Sequence, residues 1–273
     1  MTKSKNIVIT GGTDGIGLAA VKQLLEYNDN IYIISKNAEK GNKVLNQLKR
    51  PNVDFFQCDL SEDSQLRKLI QRLNKLEKID TLINNAGAYF LKREVNNDNI
   101  EKTFALNHLS YFKLSLGLLD KLEKSEDGRI INVASNAHKR YDLDIDDLEN
   151  KINYNGWKSY CRSKLLNLLF TYSFQKEIKT KVTCNCLHPG FVNSNFGNNN
   201  DNIYLKIFAK IVKNFLAISP KRGAETITYL SKSDKIKNLS GKYFYKKKEK
   251  KSSSISYNEE LAKIVWRKTL DYM

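Results

Sequence analysis

A short apolar run, Asn6–Thr10, ends at Gly11-Gly12-Thr13-Asp14-Gly15-Ile16-Gly17, and a helical pattern through Leu24 and Leu25 begins at once. A strand, a glycine turn and a helix in immediate succession leave few folds open. Glycine tolerates positive φ and lets a ligand approach the backbone closely. The N-terminus of the following helix carries unpaired N–H groups that suit a pyrophosphate. The spacing Gly11-x-x-x-Gly15-x-Gly17 differs from the usual G-x-G-x-x-G. Taken alone, the turn is either a dinucleotide fingerprint or a plain glycine-rich bend.

The rest of the chain decides how to read it. Further strands are expected over 31–35, 53–57, 80–84, 129–134, 181–187 and 242–245, with helices over 38–49, 62–76, 98–121, the segment around Tyr160 to about 179, and 220–231. In the second of these helices Leu66, Leu69, Ile70 and Leu73 fall at helical spacing. Strands alternating with helices specify an α/β doubly wound Rossmann fold, with a parallel sheet of about seven strands and helices on both faces. No linker, composition shift or repeat divides the chain, so 1–273 reads as a single domain, with 193–223 a loop and helix insertion on the substrate side. In such sheets ligands bind beyond the carboxyl ends of the strands. Gly11, Lys36, Asp59, Asn84, Ser135 and His188 all fall at or just past such an end.

Tyr160-Cys161-Arg162-Ser163-Lys164 adds chemistry to that rim. Tyr and Lys four apart on a helix share a face. An ammonium held near a phenol favours the phenolate and is expected to lower the tyrosine from its reference pKa of about 10. Tyr160 is therefore a candidate general acid/base for a carbonyl–alcohol interconversion. Ser135 has a rival in Ser159, which is expected to point from another face of the helix.

Lysine and arginine number 46 against 30 acidic residues, a formal charge of +16. Such a balance suits nucleic acid, an anionic membrane or an anionic cofactor. No nucleic-acid recognition module or interleaving of basic and aromatic residues is present, which argues against nucleic acid. The dense run Lys246-Lys247-Lys248-Glu249-Lys250-Lys251 reads as a solvated loop, with an anion or lipid patch as the alternative. No apolar run reaches the roughly 20 residues of a spanning helix, and residues 1–5 enter the first strand without a signal-peptide core. Cys58, Cys161, Cys184 and Cys186 lie in no context that suggests secretion, so reduced thiols and a cytoplasmic location are expected. Cys184-x-Cys186-x-His188 shares one strand face, but no second ligand pair exists, so no metal is expected.

Thr10-Gly11 with Gly15-Ile16-Gly17, Asp59, Asn84-Asn85-Ala86-Gly87, Asn107, Ser135, Tyr160 with Lys164, and Pro189-Gly190, in that order, resemble the short-chain dehydrogenase/reductase family over essentially the whole chain. Asn107-His108-Leu109, Tyr160-Cys161-x-Ser163-Lys164 and His188-Pro189-Gly190 are similar to the retinol dehydrogenase and WW-domain oxidoreductase branch. The resemblance implies that Tyr160 exchanges the proton with the substrate oxygen and that Lys164 lowers the tyrosine pKa and binds the nicotinamide ribose. It implies that Ser135 donates to the carbonyl and that Asn107 holds a relay water, unless Asn107 is a satisfied buried amide. It implies cofactor contacts at Gly11, Thr13, Asp14, Gly15, Ile16, Gly17, Asp59, Leu60, Asn85, Ala86, Gly87, Pro189, Gly190, Val192 and Ser194. Asn84 either ties strands together or touches the cofactor; His108 and His138 read as structural or surface residues.

Where an NAD-selective site usually places an acid, this chain has Ser35-Lys36-Asn37. A cation there suits a 2′-phosphate, so NADP(H) is expected over NAD(H), with a plain surface lysine as the competing reading. Lys in place of an Arg keeps the charge but loses the bidentate fork. Retinol dehydrogenases often carry an N-terminal membrane anchor, and none is expected here. The expected function is an NADP(H)-dependent oxidoreductase acting on a small-molecule carbonyl/alcohol pair, aldehyde or ketone, of lipophilic character. The rival is a catalytically idle NADP(H)-binding sensor or scaffold. A homo-oligomer is open to it.

On the substrate side, 193–202 is polar and turn-rich. The segment 203–216 carries more apolar residues than one narrow stripe needs, with Lys206, Lys210 and Lys213 opposite. It reads as an apolar lid; a membrane-surface helix giving peripheral membrane contact and an ordinary packed helix compete with that reading. The last helix is expected to open on a capping box, Ser256 to Glu259, and to bury Leu261, Ile264, Val265 and Leu270.

Overall fold

A computed structural model describes residues 4–190 and 218–273. Val192, Ser194 and the 203–216 segment lie outside the described residues. One sheet of eight strands runs in the order β3-β2-β1-β4-β5-β6-β7-β8: β1 (Asn6–Thr10), β2 (Asn30–Ser35), β3 (Val53–Gln57), β4 (Thr81–Asn84), β5 (Arg129–Val133), β6 (Thr183–His188), β7 (Tyr243–Tyr245) and β8 (Lys248–Glu249). The first seven pair in parallel, with registers such as Ile9 to Ile33 and Ile9 to Ile83. Ile7, Val8 and Ile9 are fully buried on both faces, as a central parallel strand covered on both sides must be. The order reverses across β1 and β4, which opens a crevice at their carboxyl ends.

One face is covered by α1 (Gly15–Leu25), α2 (Ala38–Leu48) and α8 (Pro220–Lys232), whose Val21, Leu24, Val44 and Ile227 pack with Ile7, Ile9 and Ile33. The other is covered by α3 (Asp63–Leu73), α5 (Ser110–Gly117) and α7 (Gly156–Ile178), backed by α9 (Glu259–Leu270), whose Trp266 packs with Phe112 and Phe170. Side-chain caps fix where the helices start. Asp14 accepts from Gly15 N, Asn37 from Lys40 N, Asn155 from Lys158 N and Ser219 from Arg222 N.

Three sequence expectations change. The 98–121 helix is instead α4 (Lys102–Phe104), a π turn (Ala105–Leu109), α5 and α6 (Leu119–Glu123). Residues 95 and 101 pair as a β-bridge that delays its start, and Leu118 leaves helical geometry at φ −110°, ψ 7°. The last helix is capped by Asn258, which accepts from Leu261 N, while Ser256 donates back to Ser253 O. Its buried face is Ala262, Val265, Trp266 and Thr269, with Ile264 and Leu270 exposed. Trp266 fills the interhelical space between Phe112 and Phe170, which sets the helix's rotation.

The lysine run is a hairpin and not a loop. Lys246 and Lys247 form its two-residue turn, at φ 51° and 62°, and Lys248 and Glu249 pair antiparallel with Tyr245 and Phe244. Lysines along an edge strand discourage further strand pairing. Tight hairpins of this kind favour Asn-Gly, and a left-handed residue with a Cβ costs about 1 kcal/mol. The double variant Lys246→Asn, Lys247→Gly is therefore expected to raise stability by about 1 kcal/mol, read as a higher denaturant midpoint with unchanged slope. A lower midpoint would show that the Lys247–Glu225 ion pair (3.0 Å) outweighs the relief of strain.

Candidate active site

The glycine turn closes against the end of β4. Thr10 Oγ1 accepts from the N–H groups of Asn85 and Ala86, both at 2.9 Å, and Asn85 Nδ2 donates back to Thr10 O at 2.9 Å. Gly11 and Gly15 sit at φ 67° and 53°. A Cβ at Gly17 would lie 2.1 Å from Gly11 O, so that position admits no side chain. The first intrahelical bond of α1 runs from Leu18 N to Asp14 O, which leaves the N–H groups of Ile16 and Gly17 at the helix mouth. This is a cradle cut to backbone width, and it fits a dinucleotide pyrophosphate.

Around it the expected cofactor residues fall into place unevenly. Thr13 Oγ1 donates to Ser35 Oγ at 3.1 Å. Lys36 is exposed at the end of β2. Lys40, which sequence reasoning passed over, reaches Asp14 at 3.4 Å and adds a second cation on this side. Asp59 accepts from Ser61 N and Oγ at 3.0 and 2.7 Å, which shapes the β3–α3 turn. The Leu60 side chain is core, packed with Cys58 and Leu66, so it offers a ligand only its backbone. Asn84 is fully buried and donates to Asn132 Oδ1 at 2.9 Å and Ser115 Oγ at 3.3 Å; it ties β4 to β5. A Cβ at Gly87 would face Asn107 Oδ1 at 3.2 Å and Lys164 Nζ at 3.4 Å. Gly190, at φ 98°, donates its N–H to His188 Nδ1 at 3.4 Å.

Asn107, Ser135, Tyr160 and Lys164 converge at the carboxyl ends of β4 and β5. The π turn swings Asn107 inward, a common use of such turns at functional sites. Its side chain is spent: Oδ1 accepts from Ala88 N at 3.0 Å, and Nδ2 donates to Ala88 O at 2.8 Å and Ser163 Oγ at 3.0 Å. Its peptide carbonyl accepts from Asn167 Nδ2 at 2.8 Å, so a relay water would have to use that carbonyl's second lone pair. Ser135 lies beside the Tyr160 hydroxyl, close enough to favour its phenolate, and accepts from Ala137 N at 3.2 Å. Ser159 is engaged elsewhere, accepting from Asn150 Nδ2 at 2.9 Å, as its helix face implies.

Lys164 is buried and donates to Val133 O at 2.9 Å, with its ammonium over the rings of Tyr111 and Tyr160 at 5.5 and 5.6 Å. That placement corrects the expected electrostatics. The i, i+4 spacing puts the ammonium over the phenol's ring and not against its hydroxyl, so burial dominates both groups. Burial pushes Tyr160 up to about 12, opposed in part by the neighbouring Ser135 hydroxyl. The same burial pulls Lys164 down to about 7. At neutral pH the phenol keeps its proton, which is the form that donates to a carbonyl oxygen.

Three further groups were not singled out from sequence. Tyr111 donates to Ala86 O at 2.8 Å and supports Lys164 with its ring. Trp157 stacks on Tyr160 at 5.5 Å and 24°, and Tyr89 meets both rings. Trp157 lies one turn before Tyr160 and Asn167 two turns after it, a periodicity that could have found both. The histidines are structural. His138 Nε2 accepts from Ser253 N at 3.1 Å, and His188 Nδ1 accepts from Asn136 N at 3.3 Å. His108 lies between Asn167 and Thr269. The four cysteines are unpaired and buried, and among the described residues no cluster of three or more His, Cys, Asp or Glu is placed to hold a metal.

A glycine cradle of backbone width beside half-buried Ser135 and buried Asn107, Tyr160 and Lys164 has the make-up of an oxidoreductase site on a doubly wound sheet. The sequence pattern of the short chain dehydrogenase family matches residues 5–203, and the chain belongs to that family. It is 32% identical to human polyprenol dehydrogenase, over 97% of this chain and 83% of that protein. It is also 32% identical to human retinol dehydrogenase 13, over 96% and 82%. Among solved structures it is similar to an uncharacterised Mycobacterium paratuberculosis protein (TM-score 0.79, 22% identity, 98% of this chain and 92% of that one). It also resembles Pseudomonas aeruginosa RhlG in an NADP active-site complex (TM-score 0.70, 22% identity, 89% and 94%). The chain is an oxidoreductase related to the retinol dehydrogenase branch.

Proposed function

We propose that this enzyme interconverts a lipophilic aldehyde or ketone with its alcohol, using NADP(H), with Tyr160 as general acid/base. The observation that carries the reading is the convergence of the buried Tyr160 phenol, with Ser135 beside it, and the buried Lys164 ammonium, 5.6 Å from the Tyr160 ring centroid. The nicotinamide, when bound, supplies or accepts the hydride. Ser135 orients the carbonyl and donates to its oxygen, and Tyr160 gives that oxygen its proton. The Lys164 ammonium steadies the phenolate left behind. A sensor or scaffold has no use for a proton donor so arranged. Relatives named for polyprenol and retinol support a lipophilic alcohol as the other half of the pair.

Exposed Lys36 and nearby Lys40 support NADP(H), since cations at the end of β2 favour a 2′-phosphate. Each charged contact to the phosphate is worth on the order of 1–3 kcal/mol. Lys36→Ala, and Lys36→Asp more strongly, should raise the Kd for NADPH while leaving that for NADH nearly unchanged. Equal effects on both cofactors would remove Lys36 as the discriminator. The whole reading is tested by assaying a panel of aldehydes and ketones with NADPH and NADH separately. Turnover with NADPH supports it; tight NADPH binding with no turnover across the panel favours an idle binder.

A further inference from the structure

We propose that Trp157, flanked by Tyr89, is the specificity-determining wall of the site and seats the apolar carbon skeleton attached to the reacting carbonyl. The inference rests on the reading of Tyr160 as the group that meets the carbonyl oxygen. Trp157 occupies the first turn of the catalytic helix. Its ring lies against that of Tyr160 at 5.5 Å and 24°, yet the residue remains 44% exposed. Tyr89 closes the corner, with its ring 6.4 Å from Trp157 at 79° and 6.2 Å from Tyr160. Leu91, 45% exposed, follows on the same loop. A large aromatic surface left open next to a proton donor is a surface for an apolar ligand.

The wall is held rigidly. A Cβ at Gly156 would lie 2.0 Å from Phe90 O, so glycine alone lets the start of α7 press against the loop between Tyr89 and Leu91. Tyr154 Oη donates to the same Phe90 carbonyl at 3.0 Å, and Asn155 caps the helix through Lys158 N. Two rings on two segments are thus fixed before any substrate arrives. Such preorganisation lets burial of the substrate's chain count towards selection.

The test compares propanal and decanal in wild type, Trp157→Ala and Trp157→Phe, with NADPH affinity measured alongside. Trp157→Ala should lower kcat/KM for decanal by at least roughly tenfold, as loss of a large apolar contact implies, and change propanal by less than about threefold. Trp157→Phe should fall between, and NADPH affinity should hold in all three. Binding supplies a readout independent of turnover. Titrating decanol should shift the emission of exposed Trp157 to the blue, a change absent in Trp157→Phe, because the remaining tryptophan, Trp266, is buried in the core. A wild type that gives the decanol shift but reduces neither aldehyde would sink the reductase reading and leave the wall standing. Equal losses for both aldehydes with a lower melting temperature, unchanged preference in Trp157→Ala, or no decanol shift in wild type would overturn the wall.

Discussion

Tyr160→Phe is expected to lower kcat for carbonyl reduction by roughly 10²–10⁴, the range for a positioned acid, with little change in fold or NADPH affinity. The ring is packed by Trp157, Tyr89, Ala137 and Cys161, and phenylalanine keeps those contacts. The hydroxyl beside Ser135 is lost, and with it the proton donor. The pH dependence carries a second signature. With the phenol pushed up to about 12, the acid is protonated throughout the working range and does not limit the reduction at neutral pH. Lys164, pulled down to about 7, loses its charge as pH rises, and with it the support for the developing phenolate. Reduction should therefore slow as pH rises through about 7, whereas alcohol oxidation, which needs the phenolate, should gain with pH. A Tyr160→Phe enzyme with near-wild-type turnover would remove the proposed mechanism.

Lys164→Met is expected to abolish turnover and, at the same time, to stabilise the protein at mildly acidic pH. The amine is buried, with Val133 O as its hydrogen-bonding partner. Because its folded pKa is depressed from 10.5 to about 7, the unfolded chain binds the proton more readily between those values. Wild-type stability from this group therefore rises from about 7 to 10.5, and its full penalty stands below that window. The penalty has an upper bound on the order of 5 kcal/mol, at about 1.4 kcal/mol per unit. Methionine escapes it but leaves the Val133 carbonyl without its donor, at a cost of about 1–3 kcal/mol. The variant should melt higher than wild type at pH below 7 and lower near pH 10, with the curves crossing between. Parallel melting curves at all pH values would show that Lys164 is not held against desolvation.

Much of this was legible in the sequence because the signals are local and strong. Ile7, Val8 and Ile9 run straight into Gly11, Gly15 and Gly17, and the turn's backbone demands leave little choice of residue. Ser135, Tyr160 and Lys164 were likewise placed by strand ends and helix period. What escaped depended on tertiary contact. The rotation of the last helix is set by Trp266 fitting between Phe112 and Phe170, which its own periodicity does not reveal. The two-lysine turn at 246–247 defies local preference and exists because Phe244 and Tyr245 find partners in β8. The electrostatics of Tyr160 and Lys164 are not legible locally, because helical spacing gives proximity but not burial, and burial decides the sign for both groups. Between the two readings of Asn107, sequence alone cannot choose, because the partners that satisfy its side chain, Ala88 and Ser163, are brought to it only by the fold.

The central claim is hydride delivery to a carbonyl carbon with Tyr160 supplying the proton. It is tested most directly by reducing an aldehyde with NADPH deuterated at the transferring carbon of the nicotinamide. The account predicts deuterium on the carbinol carbon of the alcohol product in wild type, and loss of that product in Tyr160→Phe. An alcohol formed without deuterium on that carbon would contradict it.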